Sequence, residues 1–208
     1  MTTKETQNTT RDAVAQNHDI ENTIRNIVVR ALKDGKMQPE DIKKTLNDVL
    51  EGACDGINTQ SGENGEALKQ VLTGIDAALG QVAEASKLAI EEVSGNVQDF
   101  SDHDLKRALN DLEDLEKIFL DTLSEVANKG KETSHETLKG LLNHFQNSGS
   151  SVGQSVKELL TGLHRDLEKN GRLQKIQAAD IAKAAGVTFA RVSSGILAGI
   201  ADSLDSKK

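Results

Sequence analysis

The sequence is nearly free of aromatic residues and of proline. Four phenylalanines are its only aromatic side chains, 2% of 208 residues, and tryptophan and tyrosine are absent. Without large rings the core must be filled by leucine, isoleucine, valine and alanine, which suit the space between helices. Pro39, the single proline, leaves few obligatory helix breaks. These features predict an all-α fold, an elongated antiparallel helical bundle with long, heptad-like amphipathic helices.

The chain also lacks a second cysteine, an excess of basic charge and a long apolar run. Cys54 alone excludes an internal disulfide and suits a reducing compartment. A net charge of −8 repels phosphate backbones, so no nucleic-acid partner is predicted. The start, "MTTKETQNTTRDAV", has no apolar signal-peptide core, and nowhere do about 18 uncharged apolar residues follow one another, which argues against a transmembrane segment. We expect a cytoplasmic protein, free or peripheral to a granule or membrane.

Hydrophobic periodicity predicts the domain organisation. Residues 1–10 are polar and Thr-rich and are predicted to be disordered, and residues 11–206 to form a single all-helical domain. The predicted helices cover residues 12–33, 39–58, 64–100, 101–129, 134–147, 151–169 and 173–204. In the third of them, apolar or small residues alternate four and three positions apart as a heptad seam. The seam consists of Leu68, Leu72, Ile75, Leu79, Val82, Ser86, Ala89 and Val93.

The stretch "FSDHDL", residues 100–105, places a histidine between two aspartates, as in a metal site. A helix cap accounts for it better. Ser101 fits the N-cap position. Asp104 fits the third helical position, from which its carboxylate can accept a hydrogen bond from the Ser101 backbone N–H. Phe100 and Leu105 fit the two positions of a hydrophobic staple. Because a metal would need further ligands from elsewhere, the sequence predicts a structural cap and no metal at His103.

Signatures of catalysis are missing from the sequence. There is no Gly-rich phosphate loop. "ETSH", residues 132–135, has the Glu-x-x-His spacing of di-iron bundles, but it occurs once, and Thr133 with Glu136 fits a capping box. Cys54 has no neighbouring histidine or second cysteine, which favours a buried, inert thiol over a nucleophile. We therefore predict no enzyme activity, no cofactor, and no catalytic or metal site.

Glycines recur inside the helical patterns, where each costs about 1 kcal/mol relative to alanine. Two interpretations are open. The glycines allow helix backbones to approach closely, as "GACDG" at 52–56 and "GILAG" at 195–199 suggest, or they keep the helices marginal so that the bundle can open. Close packing is the preferred interpretation. The mid-helix set is Gly74, Gly80, Gly95, Gly140, Gly162, Gly195 and Gly199.

The last predicted helix carries the candidate binding surface. It is the most apolar part of the chain, and its glycines make it a poor helix in isolation, so it needs a surface to fold against. That surface is either the bundle or a hydrophobic phase. The residues predicted to bind a hydrophobic surface are Ile181, Phe189, Val192, Ile196 and Ile200.

Two segments, "EALKQVLTGIDAALGQVAEASKLAIEEV" and "FSDHDLKRALNDLEDLEKIFL", resemble a family of uncharacterised bacterial all-helical proteins, a resemblance that implies no particular activity. In composition and helix style the chain is similar to phasins and apolipoprotein-like bundles, which coat polymer granules or lipid. This second resemblance implies a non-enzymatic protein that coats or adapts to a hydrophobic surface: a granule, storage lipid or membrane periphery. The alternative is a soluble helical-bundle scaffold or interaction module whose partner is another helical protein or a second copy in a homo-oligomer.

Overall fold

A computed structural model describes residues 1–16, 18–33, 38–58, 64–95, 102–129, 132–169 and 171. These ranges contain helices and no β-strand, so the all-α prediction is confirmed. The helices are α1 (Thr3–Gln16), α2 (Ile20–Lys33), α3 (Pro39–Ile57), α4 (Asn64–Gly95), α5 (Asp102–Glu113), α6 (Leu115–Lys129), α7 (Glu132–Ser148) and α8 (Ser151–Lys169).

The N-terminal part of the chain differs from its prediction in two ways. The first ten residues are not disordered, because α1 begins at Thr3. The predicted helix over 12–33 is instead two helices, and Asp19 between them has a left-handed φ of 47°. The polar sequence of α1 hid its packing: Thr6, Thr10 and Val14 are buried, and α1 lies along α3. Tertiary contact outweighs the weak local helix signal here.

Local signals place α3 correctly. Pro39 is the first helical residue, where its missing N–H costs nothing. Glu40 and Asp41 occupy the first turn, where their charge complements the positive end of the helix dipole. The helix ends at Ile57, and Asn58 is its C-cap. The predicted helix over 39–58 is therefore confirmed.

Helix α4 is the central element of the core. The predicted seam positions from Leu68 to Ala89 are all buried. Val71, Ala78 and Ala85, which lie off that seam, are also fully buried, so α4 is covered on more than one face. Its main neighbours are α2 and α8. A helix that is apolar on several faces is expected at the centre of a bundle. Residues 96–100 of the predicted helix lie outside the described residues.

The second half of the chain completes the bundle. The predicted helix over 101–129 is interrupted at Asp114, which separates α5 from α6. Helices α7 and α8 agree with the predictions over 134–147 and 151–169. Phe119 of α6 is fully buried and packs edge-to-face against Phe145 of α7, with 5.4 Å between ring centroids. The predicted helix over 173–204 lies outside the described residues.

Candidate functional site

The residues predicted from sequence to form functional or capping sites fall largely beyond the described structure. The five stripe residues Ile181, Phe189, Val192, Ile196 and Ile200 lie outside the described residues, as do Phe100 and Ser101. Asp104 and Leu105 belong to α5, which begins at Asp102, one position after the predicted N-cap. The start of α5 agrees with the predicted cap position, and the cap hydrogen bonds stay a prediction.

The exterior of the described bundle is polar. Its apolar side chains form one buried cluster that includes residues from every helix. Among the described large hydrophobic side chains, Leu88 alone is exposed, at 40%. No helix in the described ranges is both long enough and apolar enough to cross a membrane. The described surface therefore offers no apolar stripe to a hydrophobic phase while the bundle is closed.

A polar junction holds the start of α8 against the core. Asp76 of α4 is 3% exposed, and its two carboxylate oxygens accept hydrogen bonds from the backbone N–H groups of Ser151 and Val152, each at 2.8 Å. These N–H groups belong to the first turn of α8 and have no partner within their own helix. The negative carboxylate also complements the positive end of the α8 dipole. Asp76 thus caps a helix distant in sequence.

A second carboxylate reaches the same junction. Glu116 Oε1 of α6 accepts hydrogen bonds from the Ser150 hydroxyl at 2.7 Å and from the Ser150 backbone N–H at 3.2 Å. The Ser150 Oγ in turn accepts the Gly153 N–H at 3.0 Å. A Cβ at Gly153 would collide with the Glu116 carboxylate, so a side chain there would have to displace that carboxylate from Ser150. Asp76, Glu116 and Ser150, here called the α8 clasp, join three helices.

The α8 clasp borders an open pocket with a volume of about 420 Å³. The pocket is lined by Glu116, Ser148, Gly149, Ser150, Ser151, Gly153, Gln154 and Lys157. Free N–H groups at a helix start can bind an anion. Here those of Ser150 to Gly153 already donate to Asp76, Glu116 and Ser150. The arrangement therefore stabilises the fold and leaves no vacant anion site at this helix start.

Sequence reasoning missed the α8 clasp as a unit. One signal was present, since Glu116 interrupts the apolar seam of its helix, and Asp76 likewise stands between Ile75 and Ala77 in the longest apolar helix. A charged residue at a buried helical position needs a partner. The sequence indicates this need but not where the partner lies. For Asp76 the partner is Ser151, 75 residues further along the chain.

Three of the helical glycines serve close backbone packing. A Cβ at Gly56 would lie 2.7 Å from the carbonyl oxygen of Arg11, and one at Gly52 would collide with the backbone of Gln7. Both contacts join α3 to α1. A Cβ at Gly74 would lie 2.5 Å from the carbonyl oxygen of Glu21, which joins α4 to α2. At these positions any side chain would force the helices apart.

Three other helical glycines have no such role. At Gly80, Gly140 and Gly162, a Cβ would have no atom within 4 Å beyond its chain neighbours and the backbone of its own helix. Each of these glycines weakens its helix relative to alanine without a compensating contact. Close packing therefore accounts for Gly52, Gly56 and Gly74, while no packing contact accounts for Gly80, Gly140 and Gly162. The interpretation that glycines let the bundle open stays a prediction.

Cys54 lies half-buried in α3 and is a free thiol. Burial raises its pKa to about 11, and the neighbouring negative charges of Asp55 and Glu51 add to this effect. The Ser134 hydroxyl, buried without another hydrogen-bond partner, opposes the increase. Because the thiolate is the reactive form, a thiol with this pKa is almost entirely protonated at neutral pH. This environment agrees with the predicted inert packing role.

The histidine of the "ETSH" stretch has a structural contact. His135 Nδ1 lies 2.5 Å from the Ala127 carbonyl oxygen and donates a hydrogen bond to it, which links α7 to the end of α6. Helix α7 begins at Glu132, one residue before the predicted cap at Thr133. Within the described ranges, no three side chains of histidine, cysteine, aspartate or glutamate are grouped to hold a metal ion.

The fold and the junctions between its helices define an all-α bundle. Its described large apolar residues, except Leu88, are buried or partly buried, and carboxylates such as that of Asp76 fasten helices together. Over residues 1–206 the chain matches a family described as a family of unknown function (DUF6781), and it belongs to that family. It matches no curated protein and no solved structure.

Proposed function

We propose that this protein is a non-enzymatic amphipathic-helix protein that adapts to a hydrophobic surface, in the manner of phasins and apolipoprotein-like bundles, and that residues 178–208 are its binding element. The observation that carries the proposal is the apolar stripe in the sequence of residues 178–208, because the described bundle has a polar exterior with Leu88 as its one exposed large hydrophobic side chain. A surface-binding role must then use either an opened bundle or the apolar C-terminal stripe.

The C-terminal stripe supports the second of these routes. From Phe189 to Ile200 its apolar residues recur three and four positions apart, as on one face of a helix. The serines and the arginine at 191–194 interrupt the apolar run and argue for a segment that lies on a surface. The acidic, closed body would then stay in water while the C-terminal segment binds the hydrophobic phase. A granule or storage-lipid surface fits better than a bilayer, since tryptophan and tyrosine anchors are absent.

A helical-bundle scaffold is the second candidate, and the same polar exterior favours it. On this alternative the C-terminal segment covers the bundle and takes no part in surface binding. The protein would then present only polar helix faces, and its partner would be another protein recognised through charge and hydrogen bonds. Removal of residues 178–208 would expose a seam of the bundle and lower its melting temperature.

Flotation distinguishes the two functions. On the surface-binding proposal, the full chain floats with neutral lipid droplets or polyester granules in a density gradient, and deletion of residues 178–208 abolishes flotation while most of the helical circular dichroism remains. On the scaffold alternative, the intact protein stays at the bottom at every lipid concentration, and the deletion lowers the melting temperature.

A matched pair of variants controls for charge. Ile196→Asp with Ile200→Asp places two charges on the apolar stripe and should abolish flotation. Ser194→Asp with Ala198→Asp adds the same two charges two residues away from stripe positions, hence on another helix face. This control should float almost as well as the wild-type protein. If both pairs of substitutions reduce flotation equally, the effect is due to net charge. That result would contradict the proposal that the apolar stripe binds the surface.

A further inference from the structure

The chain turns back between α1 and α2 at a residue that is not glycine. Asp19 has a φ of 47°, a left-handed conformation that aspartate and asparagine adopt more readily than other residues with a Cβ but that still costs free energy relative to glycine. Residues 1–33 contain neither glycine nor proline, so no residue in this region forces a helix to end. The chain turns back at Asp19, directly before α2 begins, and α1 packs on α3 instead of continuing α2.

The surface that holds α1 is shaped for it. Gly52 and Gly56, one turn apart on α3, receive the backbone of α1 at Gln7 and Arg11. The side chain of Gln7 adds a hydrogen bond from its Nε2 to Glu51 Oε2 at 2.8 Å, and Lys44 of α3 donates to the Thr3 hydroxyl. The close approach depends on the two glycines, because any larger side chain at residue 52 or 56 would keep the α1 and α3 backbones apart.

The same interface contains little hydrophobic surface. The buried residues of α1 are Thr6, Thr10 and Val14, and the Thr10 hydroxyl is buried without a hydrogen-bond partner. Hydrophobic stabilisation grows with the apolar area removed from water, so α1 should leave the bundle more readily than α2, whose buried residues are all isoleucine, valine or leucine.

We propose that α1 exchanges between two copies of this chain. In the exchanged form the Asp19 turn straightens, α1 and α2 join into one helix, and the α1 of each copy occupies the Gly52–Gly56 groove of the other. A short hinge under strain is the feature that invites such exchange, and the contacts formed are those that the single chain already makes. The partner is thus a second copy, and the groove is the interaction surface.

Two substitutions at one position test the hinge in the full-length protein. Asp19→Ala raises the cost of the left-handed turn and favours a continuous helix, whereas Asp19→Gly relieves the turn and disfavours the helix. Because each dimer contains two hinges, the dimer dissociation constants of the two variants should differ by a factor on the order of 1,000, with Asp19→Ala the tighter dimer. Light scattering across a concentration series gives both constants. If both variants remain monomeric, or if both dimerise with the same dissociation constant, the proposal is overturned.

A mixing experiment identifies the surface used, in the Asp19→Ala background. One chain carries Gly52→Val and Gly56→Val, which block its groove but keep its α1. The other carries Thr6→Asp and Thr10→Asp, which spoil its α1 but keep its groove. Neither chain should dimerise alone, and the mixture should form a 1:1 heterodimer by native mass spectrometry. Dimers of either chain alone, or no heterodimer on mixing, would show that Asp19→Ala dimerises elsewhere and overturn the exchange.

Discussion

Two helix pairs in this bundle, α2 with α4 and α1 with α3, have equally close backbones and very different side chains. Between α2 and α4, Gly74 admits the Glu21 backbone, and isoleucine, leucine and valine side chains fill the surrounding space. Between α1 and α3, Gly52 and Gly56 admit the α1 backbone, but threonines occupy most of the buried α1 positions. Close approach is therefore common to both pairs, and hydrophobic burial is not.

In these two interfaces, the closeness of the helix backbones and the strength with which the helices are held together are separate properties. Glycine contacts determine which helices can approach, because they remove the side chains that would keep the backbones apart. Apolar area determines how strongly the helices are held. The α2–α4 pair has both, and we expect it to open only with global unfolding. The α1–α3 pair has close backbone contact at glycines but little apolar area. We therefore expect α1 to detach by local unfolding while the rest of the bundle stays folded.

The largest expected effect is in the α4 core. Leu72→Ala removes a fully buried side chain and should lower the free energy of unfolding by about 2–5 kcal/mol, because it loses apolar burial and leaves a cavity. Leu88→Ala makes the same change on the same helix at an exposed position and should cost at most about 0.5 kcal/mol. Urea unfolding followed by circular dichroism measures both. Equal costs would contradict the assignment of α4 as the central helix.

The next effect concerns the α8 clasp. Asp76→Ala leaves the Ser151 and Val152 N–H groups without their acceptor in a buried place, so it should cost about 2–4 kcal/mol. Asp76→Asn keeps one oxygen acceptor and should recover part of this loss. In hydrogen exchange, the first-turn amides of α8 should lose protection in Asp76→Ala. Unchanged protection there would mean that the clasp does not hold α8.

A smaller effect is expected at the α1–α3 interface. Gly52→Ala places a Cβ against the Gln7 backbone and should cost about 1–3 kcal/mol through overpacking. Gly140→Ala adds the same methyl group where no atom lies nearby and should stabilise the protein by about 0.5–1 kcal/mol. Hydrogen exchange should show lost protection in α1 and not in α4 for Gly52→Ala. Loss of protection in both helices would mean that α1 does not open separately.

The smallest expected effect is at Cys54. Its pKa is raised from 9.0 to about 11, so a thiol reagent at neutral pH should label it on the order of 100-fold more slowly than in denaturant. The folded state holds this proton more tightly than the unfolded state, so the associated stability is complete below pH 9 and is lost as the pH rises towards 11. Rapid labelling of the native protein at neutral pH would instead indicate a reactive thiol.

The elements that rest on local signals could be predicted from the sequence. Pro39 with its two following acidic residues placed the start of α3, and the heptad seam from Leu68 placed α4, because capping and periodicity act within a few turns of one helix. For Cys54 the lack of a neighbouring histidine or cysteine in the sequence predicts an inert thiol, and its half-buried position agrees with that prediction. The start of α5 agrees with the signal at "FSDHDL".

The features that join distant residues depend on the assembled fold. Thr6 and Thr10 are buried where α1 packs along α3, and Gly52 and Gly56 of α3 admit the α1 backbone at Gln7 and Arg11. The partners of Asp76 and Glu116 are brought to them by the packing of α8. The physical reason is the same in each case: a local pattern states what a side chain needs, and only the assembled fold provides the atom that meets it.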